Sequence, residues 1–374
     1  MSNLRDRLKR ISSERKQEQP IAQPQQKPTC ASRIHFAEVP AQTYSPEILM
    51  LLGGADFDGL HLAPEDWIFI DTETNGLSGG AGTIAFEIGV GEVLNGQMRI
   101  TQFWIRDYDQ EEDMLHRLDA LFQNKKAIVS FNGKSFDLPL LISRCTLNRI
   151  HPAWQNLPHL DLLHAARRVY KLRLKRCSLS DLEERVLGIR REDDIPGSEI
   201  PALWQEFLKT KNDEKLLSVF DHNLQDVQSM AVLLRTIYDA HQEPMQQVYM
   251  EDLFSVGKVY DSAGRYDIAE RCYVSVENGV CRGMAGRALT RIYRRTERTA
   301  DAIALLEGMI ASNSGGIFPY VELAKIYEHR LRQPEKALTY TDLALAMAID
   351  AHDIQDLTRR RTRLAARIRR KDGK

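Results

Sequence analysis

A chain of 374 residues with 51 Lys and Arg against 52 Asp and Glu has a formal net charge of −1 and an ordinary apolar content of 43%. These values predict a soluble globular protein with two domains, and they leave nucleic acid open as a partner because only the placement of basic residues decides that. Five scattered cysteines without CxxC spacing argue against a disulfide framework or zinc knuckle. The lack of a long apolar run argues against a membrane span or signal peptide, so a cytoplasmic protein is expected.

Residues 1–40 are expected to form a disordered basic tail or linker. A charged stretch, Leu4 to Arg10, passes into Gln-, Pro- and Lys-rich sequence with too little apolar surface to offset the entropy of ordering. Mixed α/β patterning follows over 41–242. Ile68-Phe69-Ile70 runs into Asp71-Thr72-Glu73-Thr74-Asn75-Gly76, a buried strand ending at a turn. Alternation points Asp71 and Glu73 to one side, where two carboxylates would attract a divalent cation, although a solvated strand end reads the same way. The glycine-rich Ser78–Thr83 has neither a GxGxxG pattern nor a GKS/GKT ending and is not read as a nucleotide-triphosphate loop.

Strands near Ala85–Val93 and Met98–Arg106 are joined by Asn95-Gly96, a hairpin signal. A helix near Glu111–Phe122 places Met114, Leu115, Leu118 and Leu121 on one face. A strand at Ala127–Phe131 leads into Asn132-Gly133-Lys134-Ser135-Phe136-Asp137-Leu138-Pro139 and a helix. A strand near His159–Leu163 comes next, then helices near Ser180–Leu187, Ala202–Leu208 and Glu214–Tyr238. This order predicts a mixed sheet with helices on both faces, compatible with a ribonuclease H-like fold.

Over 248–352 strand patterns vanish, and Tyr260, Tyr293 and Tyr327 recur 33 and 34 residues apart. Ala269, Ala302 and Ala337 follow nine or ten residues after each Tyr, and the period resembles tetratricopeptide repeats, paired helices that stack. Residues 353–374 form an Arg-rich helix or tail that either caps the repeats or meets phosphate.

Two further acids stand out. Asp137, two residues before Pro139, suits a helix start as a cap or a ligand. Asp226 interrupts an apolar stripe of Val219, Met230, Leu233 and Ile237, and a carboxylate buried there needs a cation. No Lys or Arg stands on that stripe nearby, and His222 lies one turn before it on nearly the same side.

Asp71-x-Glu73, then Asn132-Gly133-x-x-Phe136-Asp137-x-Pro139, then His222-x-x-x-Asp226 resemble the three exonuclease motifs of the DnaQ-like DEDD superfamily over roughly residues 60–240. The resemblance implies a ribonuclease H-like fold, release of nucleotides from a 3′ end, and two divalent ions, Mg²⁺ or Mn²⁺. Asp71, Glu73, Asp137 and Asp226 would hold the metals, and His222 would take the proton from the attacking water. One departure concerns the third motif, in which His occupies the spacing usual for Tyr. More narrowly, Asp71 to Gly80 followed by helical repeats resembles the YprB-like bacterial group, linked to DNA repair beside a helicase. That likeness implies DNA in preference to RNA, and a protein partner, a helicase among the candidates, on the repeats.

Thr72, Asn132, Lys134, Ser135 and Phe136 adjoin the acids and are expected to meet the substrate strand, although core packing is the default for Phe136 and Leu138. The basic run Arg167, Arg168, Lys171, Arg173, Lys175 and Arg176 either tracks phosphates or is a solvated helix face. No 2′-hydroxyl reader is evident, so an RNA-processing exoribonuclease stays open. So does a scaffold whose repeats bind a partner while the nuclease-like domain clamps nucleic acid.

Overall fold

Six strands build one mixed sheet in the computed structural model, which describes residues 27–39, 43–76, 82–192 and 194–372. They are β1 (Ala31–Glu38), β2 (Trp67–Thr74), β3 (Ala85–Leu94), β4 (Gln97–Trp104), β5 (Ala127–Ser130) and β6 (His159–Asp161), ordered β1-β4-β3-β2-β5-β6 across the sheet. The β1–β4, β4–β3 and β3–β2 pairs are antiparallel, whereas β2–β5 and β5–β6 are parallel. Asn95 and Gly96 both adopt positive φ, the conformation that a two-residue hairpin turn requires.

The flanking helices are α1 (Pro46–Gly53), α2 (Glu111–Leu121), α3 (Asp137–Leu147), α4 (Leu162–Leu174), α5 (Ile200–Thr210) and α6 (Glu214–Gln242). Ile68 and Ile70 of β2 enter a core with Met114 and Leu118 of α2, Leu141 of α3 and Trp204 of α5. Trp67 and Phe69 enter the opposite core with Leu49 of α1, Val169 of α4 and Val227 and Met230 of α6. Alternation puts Asp71 and Glu73 on the Trp67–Phe69 face, so the register that buries the aromatics also delivers the acids beneath α6. Two glycines let that helix come close. A Cβ at Gly89 would meet Asn223 Oδ1 at 2.0 Å, and one at Gly91 would meet Val227 Cγ1 at 2.8 Å.

The tail expected through residue 40 is corrected at Ala31–Glu38, which form β1 on the edge of the sheet. Its alternation is inverted, with Ile34 and Phe36 exposed, while Arg33 lies over the Phe220 ring and bonds Gln102. Residues 1–26 and most of the glycine-rich segment, 77–81, lie outside the described residues.

A helical region follows: α7 (Met250–Ser262), α8 (Tyr266–Val274), α9 (Cys281–Arg295), α10 (Thr299–Ala311), α11 (Phe318–His329), α12 (Pro334–Met347) and α13 (Ala351–Asp372). Consecutive helices pack together, and α7 lies against α4. There Arg173 donates to Asp252 and covers the Tyr249 ring at 4.0 Å, and Tyr260 donates to the His241 carbonyl at 2.6 Å. Arg168 donates to the Leu52 carbonyl. Part of the basic run therefore joins elements of the fold. In the Arg-rich terminal helix, Arg360 and Arg363 both bind the buried Glu328 while Leu357 and Leu364 are buried, so α13 closes the helical stack. No described helix is long and apolar enough to cross a membrane.

Candidate active site

Asp71, Glu73, Asp137, His222 and Asp226 line one cleft of about 730 Å³, together with Thr72, Asn132, Ser135 and Phe136. Three elements deliver them. Asp71 and Glu73 come from the end of β2, Asp137 opens α3, and His222 and Asp226 lie one turn apart on α6. Thr72 Oγ1 donates to Asp137 Oδ1 at 2.5 Å and ties the strand end to the α3 start. Lys134, grouped with these residues from sequence, is exposed and does not line the cleft; its backbone N–H is bound by Asp161. The same Asp161 carboxylate accepts from the N–H of Asn132, whose φ of 67° turns the chain into α3. Phe136 is 56% exposed at the rim, whereas Leu138 enters the core.

The carboxylates are packed against one another in a low-dielectric site. Burial raises Asp71 well above the usual range, and the charges of Asp226, Glu73 and Asp137 add to that. Glu73 is raised by burial and then by Glu87, which stands directly across the β2–β3 pair, and by Asp226 and Asp137. Asp137 is pushed up to about 6 by burial, against the Thr72 hydrogen bond. Asp226 is raised by burial, with His222 and Arg191 pulling the other way.

Arg191 is the cation that sequence analysis did not find for Asp226. Its guanidinium donates to Asp226 Oδ1, to both oxygens of the buried Glu183, and to Asp194. It arrives from an irregular segment after a π-helical turn, Glu183–Leu187, where no periodic signal could place it. Asp194, on the same segment, lies 2.6 Å from His222 Nδ1. Arg191 Nη1 also lies 3.2 Å from Nδ1, but the shorter carboxylate contact requires a proton between its two atoms, so we assign the proton to Nδ1. Nε2 then faces Asp226 Oδ2 at 3.8 Å and Glu73 Oε1 at 4.0 Å.

A second missed group is Asn223, whose Nδ2 donates to Asp71 Oδ2 at 2.8 Å. Gln102 Nε2 donates to Asn223 Oδ1 at 3.0 Å and to Glu87 Oε1 at 2.8 Å, and all three side chains are fully buried. The available signal was Gly89-x-Gly91 inside a strand, a mark of close backbone approach.

A model of the RNase H superfamily, RNase_H_2, matches residues 68–238, the span that holds all of these side chains. The uncharacterized protein YprB of Bacillus subtilis (strain 168) is 30% identical over 296 residues, covering 75% of this chain and 69% of that protein. The chain belongs to the YprB family. Its sheet domain is thus RNase H-like, a nuclease superfamily whose members generally use divalent metal ions. Among solved structures, the family B DNA polymerase of the archaeon Pyrobaculum calidifontis aligns at 14% identity and a TM-score of 0.37, covering 53% of this chain and 29% of the polymerase.

Proposed function

We propose that this YprB-family chain is a 3′–5′ exonuclease of the DnaQ-like DEDD type, acting on DNA in preference to RNA in the setting of DNA repair. The observation that carries this reading is the convergence of four desolvated carboxylates on one cleft, where among the described residues one arginine, Arg191, binds one of them. Such a set is short of positive charge, and hard carboxylate oxygens fit Mg²⁺ or Mn²⁺. Asp71, Glu73, Asp137 and Asp226 would hold two such ions, which when bound supply Lewis acidity at the scissile phosphate and acidify water.

The chain's own groups set the rest. His222 Nε2, bare and turned into the cleft, accepts the proton of the attacking water, while Asp194 holds the ring by Nδ1. Thr72 and Asn223 fix the carboxylates of Asp137 and Asp71. Phe136, exposed at the rim, offers a face on which the terminal base stacks, and Asn132 and Ser135 line the path of the strand. In this reading 41–242 is the nuclease unit, 248–352 are tetratricopeptide-like repeats that engage a partner, a helicase among the candidates, and 353–374 close them.

The test uses 5′-labelled single- and double-stranded DNA and RNA with Mg²⁺, Mn²⁺ or EDTA. A metal-dependent ladder shortening from the 3′ end is expected, strongest on DNA and lost in Asp71→Asn. No shortening of any substrate would reject the reading.

A further inference from the structure

We propose that the helical repeats carry a groove for the phosphate backbone of a nucleic-acid strand, which rests on the exonuclease reading for its substrate but not for its geometry. A cavity of about 330 Å³ between α9, α10, α11 and α13 is lined by Arg294, Lys325, His329, Arg330 and Arg360, and none of its described lining residues is acidic. One repeat earlier, an open groove beside α7, α8 and α9 is lined by Lys258, Arg291 and Arg295 and by one acid, Asp261, which binds Arg291.

The two grooves are related by the repeat. Two residues before Tyr260, Tyr293 and Tyr327 stand Lys258, Arg291 and Lys325, and two residues after the second and third stand Arg295 and His329. The cations therefore form a line, renewed with each helix pair. Acids lie among them and are outnumbered: buried Asp261 binds Arg291, and exposed Glu297 stands 3.8 Å from Arg330. Glu322, 7% exposed, takes Arg294 and Lys325; Glu328, 4% exposed, takes Arg360 and Arg363, with His329 Nε2 at 3.4 Å. Glu322 and Glu328 each hold the heads of two cations with one carboxylate, so positive charge stays in excess, and Arg294, His329 and Arg330 remain more than half exposed at the rim. A periodic row of exposed cations matches the evenly spaced charges of a polyphosphate better than the single carboxylate end of a peptide.

The test measures binding of a fluorescein-labelled single-stranded 30-mer to the full chain by anisotropy, in EDTA so that nothing is cleaved, over a salt series. The variant Lys258→Gln/Arg295→Gln/Arg330→Gln removes rim charges and leaves intact every ion pair of the buried Asp261, Glu322 and Glu328. We expect at least tenfold weaker binding and a log–log salt slope smaller by about 2, as three lost phosphate contacts on a single strand imply. Hydrolysis of a small chromogenic thymidine phosphodiester, which reaches only the cleft, should be unchanged. Unchanged oligonucleotide affinity and slope in the variant would overturn the groove, as would equally tight binding of poly-L-glutamate to the parent chain. Failure of the exonuclease reading would show separately, as no hydrolysis of the small ester by either protein.

Discussion

Asn223 Nδ2 lies 2.8 Å from Asp71 Oδ2, so helix α6 and strand β2 hold each other at the mouth of the cleft. Asn223→Ala frees the Asp71 carboxylate to rotate. Groups that orient a metal-binding carboxylate are typically worth about 10–100-fold in metal affinity. Calorimetric titration with Mn²⁺ should show a loss in that range, and Gly89→Ala should reproduce part of it by displacing Asn223. Parental affinity in Asn223→Ala would remove Asn223 from this role.

Asp71→Asn should stabilise the metal-free protein. Asp71 is held well above its ordinary range, so the fold is penalised as pH rises past the unfolded carboxylate value near 3.8 and the group must ionise among its neighbours. The variant's advantage should be absent at pH 4 and grow steadily as the pH is raised to 8. Urea unfolding at the two pH values in EDTA reads this directly. The stabilisation that Mg²⁺ gives the parent should be missing from the variant.

Arg191→Met should be the most damaging single change near the cleft. It strands Glu183 and Asp226 without their cation, a loss of about 3–5 kcal/mol for a buried pair broken on one side. Combining it with Glu183→Gln should recover part of that loss. A double variant no more stable than Arg191→Met alone would count against the pairing.

Acid should weaken the fold through two buried histidines. Burial lowers His159 and His241 to about 4, from an unfolded value near 6.5. Both are neutral in the fold, so their contribution is complete above pH 6.5 and is lost as pH falls toward 4. Between pH 7 and pH 5 each accounts for about 2 kcal/mol. His159→Gln and His241→Gln should each show a shallower loss than the parent over that interval.

The strands β2 to β6 and the long helix α6 were legible because their burial follows the sequence pattern: continuous over the apolar half of β2 up to the acids, continuous on β3, helical on α6. The acids were legible for different reasons: Asp71 and Glu73 end an apolar strand, Asp137 stands at a helix start before Pro139, and Asp226 interrupts an apolar stripe. β1 was not, because its apolar residues Ile34 and Phe36 face outward and its inner contacts are made by Arg33. Arg191 and Asp194 were not, because an irregular segment gives no face to extrapolate from. The basic run on α4 read as surface, and only the arrival of α7 turned Arg173 into a buried partner of Asp252.

The apolar cluster that begins at Trp67 on the sheet continues without a break through Tyr238 and Tyr260 to Leu323 and Leu364 in the helical stack. By the standard of a cooperative unit the molecule has no seam where the sequence pattern changes. Cutting between α6 and α7 would bare the α4 surface that α7 covers, remove the Tyr260 bond to the last turn of α6, and leave Arg173 without Asp252. A sheet fragment isolated in that way would carry a sticky, unsealed flank, so failure of such a fragment to cleave nucleic acid would say nothing about the carboxylates at its far end.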